Sequence, residues 1–162
     1  MPVPEVIPIA YEPDYRTGTI GRYADGQFLA SITYAFPDGY RHGEGWEDVK
    51  RLYAVLHRFD FEGRHIDSDI WCAGTAREEQ RQRGHADSPA VRAEARMAEL
   101  LDALPQREYQ DIGIRPFRVT ADGVLFGLVI EQHGEDENED DWAELYPDNL
   151  GFSAPWDGEY ST

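Results

Sequence analysis

The chain has 162 residues, a formal net charge of −17 and one cysteine, Cys72. A single cysteine excludes an intramolecular disulfide and any metal site built from several cysteines. The charge disfavours direct binding to nucleic acid, because no basic stripe is present to release counterions from a phosphate backbone. The length and the 12% of aromatic residues predict one domain over residues 1–162 with a substantial hydrophobic core.

Residues 1–16 contain four prolines among valines and isoleucines. Proline has no N–H to donate to a β-ladder, so we expect an extended segment that packs over the domain and stays mostly outside its sheets. The segment has neither the positive start nor the long apolar run of a signal peptide, and no stretch approaches the ~20 apolar residues of a membrane span. We therefore predict a cytoplasmic protein without membrane association.

A first β-hairpin is predicted from Thr19 to Tyr34, with its turn at Asp25-Gly26. Alternation along its strands places one set of side chains on a common face, namely Tyr23, Phe28, Ala30, Ile32 and Tyr34. Residues 37–40 predict a separate turn, in which proline presets one backbone angle. Residues 41–49 are expected to form a loop with a short helical turn near Trp46.

A second hairpin is predicted from Leu52 to Cys72 through Glu62-Gly63. A two-residue turn there places the following side chains on the inner face: Tyr53, Val55, Phe59, Ile66, Ile70 and Cys72. The same register pairs Asp60 with His65, Arg58 with Asp67 and His57 with Ser68, and it points His57 away from His65. A longer loop would shift these pairs.

One amphipathic helix follows a polar stretch, residues 74–87, that we expect to be a mobile connection. Ser88 is a good N-cap, Pro89 suits the first helical position, and Pro105 ends the helix. The apolar positions recur at helical spacing, and they are Ala90, Ala93, Met97, Leu100, Leu101 and Leu104. This helix is expected to cover one face of the sheet.

The most apolar segment is a third hairpin, residues 116–130, turning at Asp122-Gly123. A type I′ turn needs positive φ at both central residues, which these two residue types tolerate. The turn pairs Val119 with Phe126, and the segment is expected to lie centrally in its sheet. The fold class that follows is α+β: an antiparallel meander of about six strands in three hairpins, one helix on one face and an irregular aromatic C-terminal segment.

Two groups of residues invite a metal or catalytic interpretation, and neither holds. The run from Glu135 to Asp141 fails as an EF-hand, because Asp141 stands where glycine is required and Pro147 where the bidentate glutamate belongs. In the second hairpin, cross-strand pairs of opposite charge on a wet face explain His65, Asp67 and Asp69, and His57 points to the opposite face. Cys72 is expected to be a small buried hydrophobe. We predict no catalytic residue, no metal site and no cofactor.

The C-terminal segment, residues 131–162, holds eleven acidic residues and neither lysine nor arginine. Five aromatic residues are interspersed with these acids. One interpretation is an ordered tail that wraps the sheet and buries its rings. The other is a surface that binds a basic protein, for which the candidate residues are Trp142, Glu144, Tyr146, Phe152 and Trp156.

Several stretches together resemble an actinobacterial family labelled formate hydrogenlyase regulatory protein HycA. The resemblance extends over nearly the whole chain, and it is carried by residues 4–10, 12–17, 20–28, 53–60, 122–129 and 142–148. It implies a regulatory protein that acts by binding another protein, since the enterobacterial protein of that name is a negative regulator of the formate regulon. No functional residue of that protein matches a position here.

Three hypotheses about function follow. The first is a non-enzymatic cytoplasmic regulator that binds another protein, with a basic partner favoured by the charge. The second is an acidic immunity or inhibitor protein that caps a basic toxin or nuclease. The third is an enzyme or small-molecule-binding domain that uses the sheet face opposite the helix. The first agrees with both the resemblance and the acidic aromatic segment.

Overall fold

Antiparallel strand pairs build every sheet in residues 2–41, 43–132 and 141–162, which are the residues described by the computed structural model. The strands are β1 (Ile7–Ile9), β2 (Ile20–Tyr23), β3 (Gly26–Ala35), β4 (Arg51–Phe59), β5 (His65–Thr75), β6 (Glu108–Tyr109), β7 (Ile112–Ile114), β8 (Phe117–Ala121), β9 (Val124–Glu131), β10 (Trp142–Tyr146) and β11 (Leu150–Phe152). The helices are α1 (Trp46–Val49), α2 (Ala76–Gln82) and α3 (Pro89–Asp102). The predicted α+β class is confirmed, with more strands and helices than the three hairpins and single helix expected.

The five-stranded sheet has the order β5-β4-β3-β2-β6 and forms the middle layer. Helix α3 packs on one of its faces, where Ala93 and Met97 belong to the same buried cluster as Phe28 and Leu56. The four-stranded sheet, ordered β11-β10-β9-β8, packs on the other face. Alternation along β3 and β4 supplies apolar side chains to both layers.

The first hairpin turns one residue earlier than predicted. Tyr23 pairs with Gly26, so the turn residues are Ala24 and Asp25, not Asp25 and Gly26. A Cβ atom on Gly26 would lie 2.0 Å from the carbonyl oxygen of Phe59. Glycine at this position therefore permits the close approach of the neighbouring backbone instead of forming the turn.

The third hairpin forms with the predicted register, since Val119 pairs with Phe126. Its turn residues have the positive φ angles of a type I′ turn, 54° at Asp122 and 76° at Gly123. Of the two hairpin strands, only β9 is an interior strand, because β8 lies at the edge of the four-stranded sheet. The expectation of a central position is therefore met by one of the two strands.

The C-terminal segment is not irregular, because two of its stretches are strands that complete the four-stranded sheet. Strand β10 pairs with β9 on one side and with β11 on the other. Ala143 and Leu145 alternate with more exposed residues and face the core, as do Leu150 and Phe152 on β11. Burial of these alternate residues supplies the reason for strand formation.

Strand β1 gives the proline-rich segment a ladder of its own with β7, over three residue pairs. Pro8 lies opposite Gly113, and because Pro8 has no N–H, the N–H and C=O groups of Gly113 face away from β1. The buried side chain of Gln27 binds both groups: Nε2 donates to the Gly113 oxygen at 2.8 Å, and the Gly113 nitrogen donates to Oε1 at 2.8 Å. Nε2 also donates to the carbonyl oxygen of Asp60 at 3.0 Å. Gln27 thus joins the small sheet to the middle sheet.

The predicted mobile connection is wrong over residues 76–82, which form helix α2. The Thr75 side chain accepts a hydrogen bond from the Glu78 nitrogen at 3.2 Å and so caps the helix. Thr-x-x-Glu is the sequence of a capping box, and this signal would have indicated the helix despite its lack of an apolar stripe. No helix in the described ranges is both long enough and apolar enough to cross a membrane.

Helix α3 begins as predicted, with Pro89 in its first turn and the Ser88 hydroxyl accepting from the Val91 nitrogen at 3.3 Å. We expect Ser88→Ala to lower the free energy of unfolding by about 1 kcal/mol, since the capping acceptor is lost. Urea denaturation measures this change. Ser153→Ala removes a hydroxyl from an exposed position and is the control; equal losses in the two variants would contradict the capping role.

Candidate partner-binding groove

A continuous groove lies where the end of β3 meets β10 and the residues that follow it. Three adjoining depressions of about 310, 330 and 470 Å³ form it. Asn149 lines the first two, and the last two share Tyr34, Lys50 and Pro147. We call this surface the groove. Strand β10 forms one of its banks, and β3 and α1 form the other.

The β10 bank presents Trp142, Glu144 and Tyr146, which alternate with buried residues and therefore project from the same face of the strand. The Trp142 indole Nε1 donates to the Glu144 Oε1 at 3.3 Å. The Tyr146 hydroxyl donates to Oε1 of Glu131, on β9, at 2.6 Å. Each carboxylate is thus held against the polar edge of an aromatic ring.

Electrostatics keeps the Tyr146 phenol protonated. Its hydrogen bond to Glu131, then burial, and then the nearby charges of Glu144 and Glu131 raise the pKa of Tyr146 above its ordinary value. The phenol therefore stays a hydrogen-bond donor at neutral pH, and the negative charge at this bank remains on the two glutamates. Aromatic faces beside carboxylates form an environment that attracts cations.

The five residues predicted to bind a partner separate into two groups. Trp142, Glu144 and Tyr146 lie together on the β10 bank. Phe152 is only 1% exposed and packs in the core, so it is not a surface anchor. Trp156 packs partly buried against the same core cluster, and its Nε1 finds no hydrogen-bond partner among the described residues.

The second bank holds the chain's sole lysine against three aromatic rings. The Lys50 Nζ lies 5.3 Å from the ring centroid of Tyr34, 5.5 Å from that of Phe36 and 5.7 Å from that of Trp46. We call these three rings the cage. Phe36 also stacks on Tyr40, with centroids 4.9 Å apart. Alternation in the sequence places Tyr34 on one face of a strand but does not predict the cage. The signal that could have indicated the cage is the concentration of aromatic residues around the single lysine within residues 34–50.

The far end of the groove is closed by a contact between the N-terminal segment and the residues after β10. Asp148 accepts a hydrogen bond from the Thr33 hydroxyl and pairs with Arg16 at 3.4 Å. The Asp148 side chain is only 10% exposed. Partial burial strengthens this contact, so it fixes the course of the chain along the groove.

The histidines of the second hairpin lie on the same face, contrary to the predicted register. Arg58 pairs with Asp67 and His57 with Ser68, as predicted, but Phe59 pairs with His65 because Ile66 is an extra residue in a β-bulge. The bulge turns Ile66 outward, where it is 54% exposed, and brings His65 inward.

The predicted pair of Asp60 with His65 is therefore also wrong. Asp60 instead closes a longer loop, and its Oδ1 accepts from the backbone nitrogens of Glu62 and Arg64, both at 2.9 Å. This loop is the longer one that would shift the predicted pairs. Because the Asp60 side chain bonds to the backbone of its own loop, it does not pair with His65, which lies opposite Phe59 instead.

A partly buried polar cluster results from the bulge. The Ser68 hydroxyl oxygen lies 2.6 Å from the His57 Nδ1 and 2.7 Å from the His65 Nε2, and Phe117 packs against both imidazole rings. His57 is only 3% exposed. Burial, and then the nearby His65, lower the pKa of His57 to about 3. Burial also lowers the pKa of His65, so the two rings are neutral at pH 7.

The remaining candidates assemble no metal site within the part of the chain that the structure describes. Cys72 is exposed and not on a buried face, because the core cluster that covers Tyr53 and Val55 does not extend to this end of the edge strand. Within the described ranges, no group of three or more histidine, cysteine, aspartate or glutamate residues could hold a metal ion. The acidic run considered as an EF-hand, Glu135 to Asp141, lies outside the described residues except for Asp141.

Comparisons of the chain with known protein families, with curated proteins and with solved structures found no match. Function is therefore inferred from the groove's own geometry and charge. The β10 bank places carboxylates beside aromatic rings. The opposite bank places the Lys50 ammonium over the rings of the cage.

Proposed function

We propose that the protein is a non-enzymatic regulatory protein that acts by binding a basic segment of a partner protein in the groove. The observation that carries the proposal is the β10 bank, where Glu131 and Glu144 are hydrogen-bonded to Tyr146 and Trp142. Carboxylates form charge-assisted hydrogen bonds with lysine and arginine, and the adjacent rings attract the same cations through their π-faces. The resemblance to the HycA-labelled family supports a regulatory role.

The dimensions of the bank suit an extended peptide. Strand residues advance about 3.3 Å each, so Trp142 and Tyr146 are about 13 Å apart along β10. A bound segment of about four residues would therefore reach both rings. Aromatic residues are the usual anchors of protein interfaces, since they bury a large area at a small entropy cost.

The charge of the whole chain supports the same choice of partner. A formal net charge of −17 attracts a basic protein over long distances and raises its association rate at low salt. Binding through this attraction weakens as salt screens it. A basic partner held by the groove should consequently be released by a high-salt wash.

The test is affinity capture of the tagged protein's partner from its own host lysate, with and without the paired change Glu131→Gln and Glu144→Gln. Glutamine keeps an oxygen that accepts from Tyr146 or Trp142 but removes the negative charge. We expect the wild type to retain one basic protein at low salt, and the double variant to retain roughly tenfold less of it. Quantitative mass spectrometry of the eluates measures the difference.

A matched control removes two charges from exposed positions of α3, through Glu94→Gln and Asp102→Asn. This variant should capture the partner as the wild type does. Equal capture by both double variants, or no partner at any salt concentration, would overturn the groove as the binding surface. A toxin or nuclease as the partner would replace the regulatory role by an inhibitory one.

A further inference from the structure

Lys50 occupies its position because two separate pieces of the chain meet there, the end of β3 and the start of α1. Tyr34 lies near the end of β3, Phe36 follows it, and Trp46 begins α1. The backbone nitrogen of Lys50 donates to the Trp46 carbonyl oxygen at 2.9 Å and so ends the helix. The backbone of Lys50 is thus fixed, whereas its side chain has four rotatable bonds with which to enter or leave the cage.

The cage offers π-faces to a cation, and nothing else in the described residues pairs with the Lys50 ammonium. None of the ion pairs in the described ranges involves Lys50. A primary ammonium that leaves water for such a site loses hydrogen bonds that the rings replace poorly. A quaternary ammonium has no N–H groups to satisfy and is the cation that aromatic cages recognise best.

The cage is also open to the groove. Tyr34 is 38% exposed, and Tyr34, Phe36 and Lys50 all line the depression of about 330 Å³. The same depression is bordered by Tyr146, the last residue of the β10 bank. A peptide that lies along the β10 bank can therefore extend a side chain toward the cage.

We propose that the cage is a binding site for the quaternary ammonium group of a trimethylated lysine on the partner, and that Lys50 occupies it until that group displaces it. This inference rests on the proposed function, since it names the group that the groove receives. Lys50 competes with the ligand from within the chain, so it lowers the apparent affinity of the cage. Removing the Lys50 side chain should strengthen binding.

The first experiment uses choline as the probe and 3,3-dimethylbutan-1-ol as its uncharged analogue of the same shape. NMR titrations of the wild type and of Lys50→Ala measure the affinities. We expect Lys50→Ala to bind choline roughly tenfold more tightly than the wild type, and either protein to bind the uncharged analogue several-fold more weakly than choline. Adding Trp46→Leu to Lys50→Ala should remove the gain, since leucine keeps an apolar contact but has no π-face.

Arg64→Ala is the control for charge, because Arg64 is exposed in the loop after β4, at the end of that strand remote from Lys50, and lines none of the three depressions. It should leave choline binding unchanged. Equal affinity of Lys50→Ala and wild type for choline, equal binding of choline and its uncharged analogue, or a gain that persists with Trp46→Leu would overturn the proposal. The comparison of the two probes on the wild type remains decisive if a variant fails to fold.

A peptide arm identifies the source of the ammonium group. The pentapeptide Arg-Gly-Lys-Gly-Arg is titrated with its lysine unmodified and trimethylated, and we expect the trimethylated form to bind several-fold more tightly. If trimethylation has no effect, the assignment to a partner's lysine is wrong. If capture of a basic partner still depends on Glu131 and Glu144 while choline binding fails, only the cage inference is overturned; if that capture fails as well, both proposals are.

Discussion

Replacing Gln27 by leucine is expected to lower the free energy of unfolding by about 3 kcal/mol. Leucine fills a similar volume but cannot hydrogen-bond. The change therefore removes the side-chain partner from the N–H and C=O groups of Gly113, and one donor from the Asp60 carbonyl oxygen. An unsatisfied buried polar group costs more than the net value of the hydrogen bond, because it also loses its contact with water.

Urea denaturation followed by circular dichroism measures this loss. Gln80→Leu makes the same chemical change at an exposed position of α2 and should alter stability by less than about 0.5 kcal/mol. A loss below about 1 kcal/mol in Gln27→Leu would show that Gln27 does not join the two sheets energetically.

Lowering the pH is expected to destabilise the protein through His57. The folded pKa of His57 is about 3, whereas its ordinary value is 6.5, so the unfolded chain binds this proton first as the pH falls. The stability contributed by the neutral ring is fully present above about pH 6.5 and is lost progressively as the pH falls toward about 3. The slope is about 1.4 kcal/mol per pH unit.

His57→Phe isolates this contribution, since phenylalanine keeps an aromatic ring against Phe117 but does not titrate. Between pH 6.5 and 4.5 the wild type should lose about 2 kcal/mol more than the variant. Urea denaturation at a series of pH values measures both curves. Parallel curves would contradict the buried neutral histidine, and His85→Gln, at an exposed position, should follow the wild type.

Features that depend on a few neighbouring residues are predictable from the sequence. Asp122 and Gly123 form the expected turn, because their tolerance of positive φ is a property of those residues alone. Ser88 and Pro89 start α3 for the same kind of reason, since the cap bonds a backbone nitrogen three residues away. Helix α2 belongs to this class too, because the Thr75 cap is equally local.

The predictions from the sequence are wrong where one inserted residue, or one strand distant in the chain, decides which face of a strand a side chain occupies. The bulge at Ile66 reverses the faces of the residues between it and the turn, which brings His65 beside His57. Phe152 shows a similar limit. Its type suits an interface or a core, and only its place opposite Ala143, in a strand that pairs with β10, assigns it to the core.

By itself the sequence determined the fold class, the third hairpin, the start of α3 and the excess of negative charge, because turn angles, caps and alternation act over a few residues. The tertiary structure alone decided the groove. Its two banks come from strands and a helix about a hundred residues apart, and periodicity shows which face of a strand is apolar but not which faces meet. Tyr34 therefore joins Trp46 and Lys50 in a cage next to Tyr146 only when the sheets pack together.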